Sequence, residues 1–122
     1  MDRTPDNSLA QPRSFYEGWN IGAVSIKRVR LNDDGAVEAT VRRHGGDPAS
    51  TIGSLLEQQD LTPTGAMVTG TQSASLLPLT YLPESICLEA ALAHLGLCPD
   101  MVLSLGGESF VAYCITHGAV RW

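Results

Sequence analysis

The chain has 122 residues, 43% of them hydrophobic and 17% charged, with a net charge of −5 and a pI near 4.9. That is enough core-forming sequence for one small domain, and the acidic balance argues against a nucleic-acid surface. No apolar run approaches the ~20 residues needed to cross a bilayer, and Cys87, Cys98 and Cys114, with no signal peptide, predict free thiols in a reducing cytoplasm.

Residues 1–14 are polar and proline-containing and read as a disordered lead-in. Tyr16 to Ile21 reads as a first strand, Gly22 begins a turn, and Ile26 to Leu31 reads as a second strand. Asn32-Asp33-Asp34-Gly35 is a hairpin turn, because Asn and Asp tolerate left-handed backbone and Gly supplies positive φ. Val37 to Arg43 alternates, with Val37, Ala39 and Val41 on one side and Glu38, Thr40 and Arg42 on the other. Period two also puts Lys27 on the face of Val29 and Leu31, with its amine near the first turn. The basic residues Lys27, Arg28, Arg30, Arg42, Arg43 and His44 fall on neighbouring strands and read as a solvated face.

Asp47 then Pro48 predict the N-cap and first residue of a helix, with a short apolar stripe of Ile52, Leu55 and Leu56. Gly65 to Thr69 predicts a short strand, and Thr71 to Tyr81 an irregular segment. Pro83 opens a second helix through Leu95, stopped by Gly96. Its apolar residues fall nearly all round, which predicts burial. Met101 to Leu105 and Phe110 to Thr116 predict a closing hairpin joined at Gly106-Gly107, with a further turn at His117-Gly118. Cys114, on an apolar strand, is expected in the core. The three histidines have no ligand spacing with a cysteine, and no G-x-S-x-G elbow supports a hydrolase.

Two units stand out, Gly18-Trp19-Asn20-Ile21-Gly22-Ala23-Val24-Ser25-Ile26-Lys27 and Val102-Leu103-Ser104-Leu105-Gly106-Gly107-Glu108-Ser109-Phe110. In each, an apolar strand runs through small residues into another strand. Such turns expose successive backbone N–H groups, against which a polyphosphate can lie. Two of them facing each other would clamp a nucleotide's phosphates.

Their order and spacing resemble the N-terminal part of the BadF/BadG/BcrA/BcrD-type ATPases, the activators of 2-hydroxyacyl-CoA dehydratases and benzoyl-CoA reductase. Gly18, Ile21, Gly22, Ser25 and Lys27 match the family's first phosphate motif, and Gly106, Gly107 and Glu108 its second. His44, Gly46 and Pro48 resemble its H-x-G-x-P, Val68-Thr69-Gly70 its V-T-G, and Glu84 its helix-starting glutamate. The resemblance implies an α/β fold: an RNase H-like, actin/sugar-kinase-type ATPase subdomain, βββαβα, over residues 15–99. The first hairpin of a truncated second subdomain would follow over residues 100–122. It implies ATP and Mg²⁺ as ligands, with Gly22, Ala23, Val24, Ser25, Lys27, Gly106, Gly107 and Glu108 around the phosphates. Asn20 and Ser104 replace the family's two metal-organising aspartates, and Ala23-Val24 its Ser-Thr pair. An amide and a hydroxyl carry no charge for Mg²⁺, so nucleotide binding is expected to be weak or absent and catalytic residues stay unassigned. The family's [4Fe–4S] ligands lie downstream, and no cysteine here is carried over as one.

The expected function is therefore an N-terminal fragment or degenerate homologue of an ATP-dependent activator that drives electron transfer to a CoA-ester dehydratase or reductase. The alternatives are a non-catalytic interaction module that keeps the ATPase fold and a fragment of a sugar-kinase-like protein. The closing hairpin carries a large apolar load for two strands, which predicts a homodimer; a dehydratase or reductase component is a further expected partner.

Overall fold

The computed structural model describes residues 14–59 and 61–121, so the expected lead-in lies almost wholly outside the described residues. The elements are β1 (Phe15–Ile21), β2 (Ser25–Asn32), β3 (Val37–Arg43), α1 (Pro48–Glu57), β4 (Gly65–Gly70), a 3-10 helix (Gln72–Leu76), β5 (Thr80–Tyr81), α2 (Glu84–Leu95), β6 (Met101–Leu105), β7 (Phe110–Thr116) and β8 (Ala119–Arg121). They form a mixed five-stranded sheet, β3-β2-β1-β4-β5, and a three-stranded sheet, β6-β7-β8. The meander β1-β2-β3 is antiparallel, and β4 joins β1 in parallel after crossing over through α1.

Alternation in β1 decides which face of the first sheet is covered. Phe15, Glu17, Trp19 and Ile21 are buried. Trp19 and Ile21 pack with Ile26, Val68, Ile52 and Leu55 of α1, Ala74 of the 3-10 helix and Leu77 just after it. The cluster sits where apolar positions from both sequence periods meet. Glu17 is the charged residue buried beside it. The Trp19 indole N–H donates to its carboxylate at 2.7 Å, and Arg30 stands 3.5 Å away over the Phe15 ring. Arg28 lies over Trp19 and donates to the Leu55 carbonyl at 3.0 Å. The expected solvated basic face is thus divided by the strand period: Arg28 and Arg30 cover aromatic rings on the core face, while Lys27 points to the other.

Asp47 caps α1 by accepting from the Ser50 N–H at 3.1 Å, with Pro48 in the first turn. That backbone hydrogen bond holds the Asp47 carboxyl below the usual carboxylate range. The cap's contribution is therefore present at neutral pH and lost as pH falls through the folded-state pKa.

The second sheet departs from the expected lone hairpin, because β8 adds a third strand beyond the His117-Gly118 turn. Its inner face buries Tyr113 and Ile115 against Leu92, with Leu88, Val102 and Val120 around them. The outer face is open: Met101, Leu103, Leu105 and Phe110 are all more than half exposed. Cys114 shares that face, exposed rather than in the core. α2 is also less buried than its composition predicts. Leu92 is its one fully buried residue, while Ile86 and Leu95 face out. An all-round apolar helix needs cover on more than one side, and here only one side is packed. The far face of the first sheet likewise exposes Tyr16, Val37, Val41 and Met67. Among the described residues no helix is long and apolar enough to cross a membrane.

Candidate phosphate cavity between the two turns

The two glycine turns are built alike. The Gly22 N–H donates to the Ser25 carbonyl at 2.9 Å, and the Gly106 N–H to the Ser109 carbonyl at 2.8 Å. A Cβ on either glycine would sit 3.0 Å from that carbonyl, which is why each hairpin opens on glycine. The tips are Ala23-Val24 and Gly107-Glu108. They meet: a Cβ on Gly107 would fall 2.2 Å from Val24 Cγ2. The turns sit at the ends of strands in different sheets and face each other directly.

His44 fastens the first turn. Its backbone N–H donates to the Val24 carbonyl at 3.2 Å, and its Nδ1 accepts from the Gly46 N–H at 3.1 Å. With Nδ1 an acceptor, Nε2 carries the proton and donates to the Gly22 carbonyl at 3.0 Å. The H-x-G-x-P resemblance thus lands on a contact that positions the turn.

Below the turns lies a row set by register. Asn20 pairs with Lys27 on one side and with Thr69 on the other. The three belong to the sheet face away from the main core. The Lys27 ammonium donates to Ser25 Oγ at 3.1 Å and lies 3.7 Å from where a Gly22 Cβ would be. Thr69 is buried, and its hydroxyl has no hydrogen-bond partner. The opposite wall is Glu84 at the start of α2. One carboxylate oxygen accepts from Ser104 Oγ and the other from the Tyr113 hydroxyl at 3.2 Å. Burial, then the Glu84 charge, pushes the Tyr113 hydroxyl's pKa up.

These groups enclose a cavity of about 410 Å³. Both turns, the Asn20 and Ser104 positions, Ser25, Lys27 and Glu84 all line it. The fold brings together the positions that the resemblance places around the phosphates, with Asn20, Ser104 and Glu84. It adds Thr69 and Tyr81, whose hydroxyl donates to the Gly70 carbonyl at 3.2 Å. Thr69 stood in a recognised motif, but its place beside Asn20 depends on a parallel pairing that local sequence does not announce.

The residues present do not fit the resembled family's divalent cation. Asn20 and Ser104 offer neutral oxygens, and both Glu84 oxygens already accept hydrogen bonds. Among the described residues no group of three or more His, Cys, Asp or Glu is placed to hold a metal ion. With Glu84 and Glu108 as the remaining carboxylates, a hard cation would have to draw most of its oxygens from water and from the ligand's own phosphates.

Solved structures share this architecture. The Acidaminococcus fermentans (R)-2-hydroxyglutaryl-CoA dehydratase component A superposes with a TM-score of 0.63 at 17% identity, over 88% of this chain and 45% of that one. An Aquifex aeolicus PPX-GPPA enzyme gives a TM-score of 0.54 at 16% identity, over 91% of this chain and 51% of that one. The type II variant of the Aquifex aeolicus Ppx/GppA phosphatase gives 0.54 at 16%, over 89% and 50%. The chain spans about half the length of these structures. No protein-family model and no curated protein matches the sequence. At such identities the likeness shows the fold, which is α/β and RNase H-like.

Proposed function

We propose that the chain is the phosphate-holding N-terminal part, or a degenerate homologue, of an ATP-dependent activator of a CoA-ester dehydratase or reductase. The observation that carries this reading is the single cavity closed by two glycine turns from different sheets, in a fold shared with a CoA-dehydratase component. The turn tips offer backbone N–H groups to phosphate oxygens. Lys27 supplies the cation, and His44 holds the first turn in place. Glu84 is held on the far wall by two hydroxyl donors. Holding phosphate is the role these groups suit. Turnover is not expected, because neither Asn20 nor Ser104 can supply the charge that organises a metal and a water.

A second copy of the chain is the proposed partner on the outer face of β6-β7-β8, where apolar side chains stand open and β6 is an edge strand among the described residues. A two-fold axis would bury that face against itself. The CoA-ester enzyme is the further proposed partner.

One titration tests the site and the partner together. ATP with Mg²⁺ is added to the purified chain while melting point, phosphate release and mass by light scattering are read. The expected species is a dimer that releases no phosphate. Its melting point should rise only at ATP on the order of millimolar, since stabilisation follows RT ln(1 + [L]/Kd). A micromolar response or steady release contradicts the reading of the site, and a folded monomer contradicts the second copy.

A further inference from the structure

The cavity's donor set has a consequence for what it binds. Among the described residues its one cationic side chain is Lys27, which donates to Ser25 Oγ at the first turn. Beside Lys27, in register across three strands, stand two neutral side chains able to donate hydrogen bonds, Asn20 and Thr69. Thr69 is the more telling of the two, because its buried hydroxyl is unpartnered in a residue that lines the cavity. A buried polar group left unpaired is costly, and rotation of the Thr69 side chain about χ1 would bring the hydroxyl to a ligand oxygen in the cavity. Both carboxylates of the lining are accounted for. Glu84 keeps its charge while accepting from the Ser104 and Tyr113 hydroxyls, and both it and Glu108, at a turn tip, are exposed, where water screens them.

From this arrangement we infer that the cavity binds phosphate oxyanions directly, without a divalent cation, on the Lys27–Asn20–Thr69 row. The inference rests on the reading of the cavity as a phosphate site and departs from it in removing the metal. Relative to the resembled family the charge total is kept, with Glu84 and Glu108 left in the lining opposite Lys27. Two neutral side chains stand where the resemblance places two carboxylates, and losing two negative charges together with one divalent cation leaves the total unchanged. A fixed ammonium then takes over as the phosphate's counter-charge, a role lysine fills as a point charge.

Inorganic tripolyphosphate is the probe, titrated into the full chain by calorimetry at low ionic strength, once with EDTA and once with Mg²⁺. The expected result is saturable binding in EDTA that Mg²⁺ does not strengthen. Lys27→Met should weaken it about ten-fold or more, the loss expected of one charge-assisted contact. Thr69→Val keeps the side chain's shape and removes the orphaned hydroxyl. It should weaken binding several-fold while leaving the free protein's melting point unchanged or higher. Asn20→Asp combined with Ser104→Asp should reverse the metal dependence, making binding require Mg²⁺. Binding seen only with Mg²⁺ in the unaltered chain would overturn the inference and leave the phosphate reading standing. Binding in neither condition would overturn both. Unchanged affinity in Lys27→Met or Thr69→Val, with the fold intact, would place the anion elsewhere and overturn the row.

Discussion

Gly70→Ala is expected to cost about 3 kcal/mol or more, in the range reserved for strained backbone and unavoidable clashes. Gly70 has φ of 121°, a conformation L side chains rarely adopt, and a Cβ there would lie 2.3 Å from the Ile21 carbonyl oxygen and 2.8 Å from the Ile21 backbone carbon and nitrogen. Relief by movement of Ile21 is blocked. Its side chain is fully buried, and its carbonyl accepts from both the Thr71 N–H at 2.8 Å and the Thr71 hydroxyl at 3.0 Å. Domains of this size are stable by only about 5–15 kcal/mol, so the variant loses a large share of its margin. Urea denaturation measures it. A loss under about 1 kcal/mol would mean that β1 and β4 do not approach as described.

The second large effect concerns the meeting of the two turns. Gly107→Ala drives a methyl group into Val24, whose β-branched side chain has little rotamer freedom to retreat. The turns must then part, at an overpacking cost of about 1–3 kcal/mol that relaxation of the tips lowers toward the bottom of that range. Separation should also weaken tripolyphosphate binding about ten-fold. Val24→Ala removes the Cγ2 clash but leaves a Cβ 3.0 Å from the new one, so the Val24→Ala, Gly107→Ala double variant should recover part of both losses. A double-mutant cycle on stability and affinity reads the coupling. Additive effects would mean that the two tips act independently.

Much of the fold was legible because its signals are local. The Asp47-Pro48 cap, the Asn32–Gly35 turn and the Gly96 stop each carry their own backbone chemistry, and each falls where expected. The alternation of β3 likewise needs no partner to be read. What was not legible depended on which faces meet. Nothing within the sequence of α2 says that only the Leu92 side finds cover, nor which phase of β7 turns inward, so the core position expected of Cys114 gives way to an exposed one. β5 and β8 are two and three residues long, too short for a period to show. The same limit applied at the cavity. The glycine turns announced themselves by composition, but Thr69 joins Asn20 only through a parallel pairing across some fifty positions of sequence. His44 offered no ligand spacing; its work is to bond a turn twenty-two residues earlier.

The central claim is that two turns from separate sheets form one phosphate-binding cavity. Backbone amide chemical shifts recorded while tripolyphosphate is titrated into the chain test it most directly. Ala23, Val24, Gly107 and Glu108 should shift together, with one apparent affinity, and Asn20 and Thr69 should follow on the same curve. Shifts confined to one turn, or appearing instead on the exposed basic strand at Arg42 and Arg43, would contradict it.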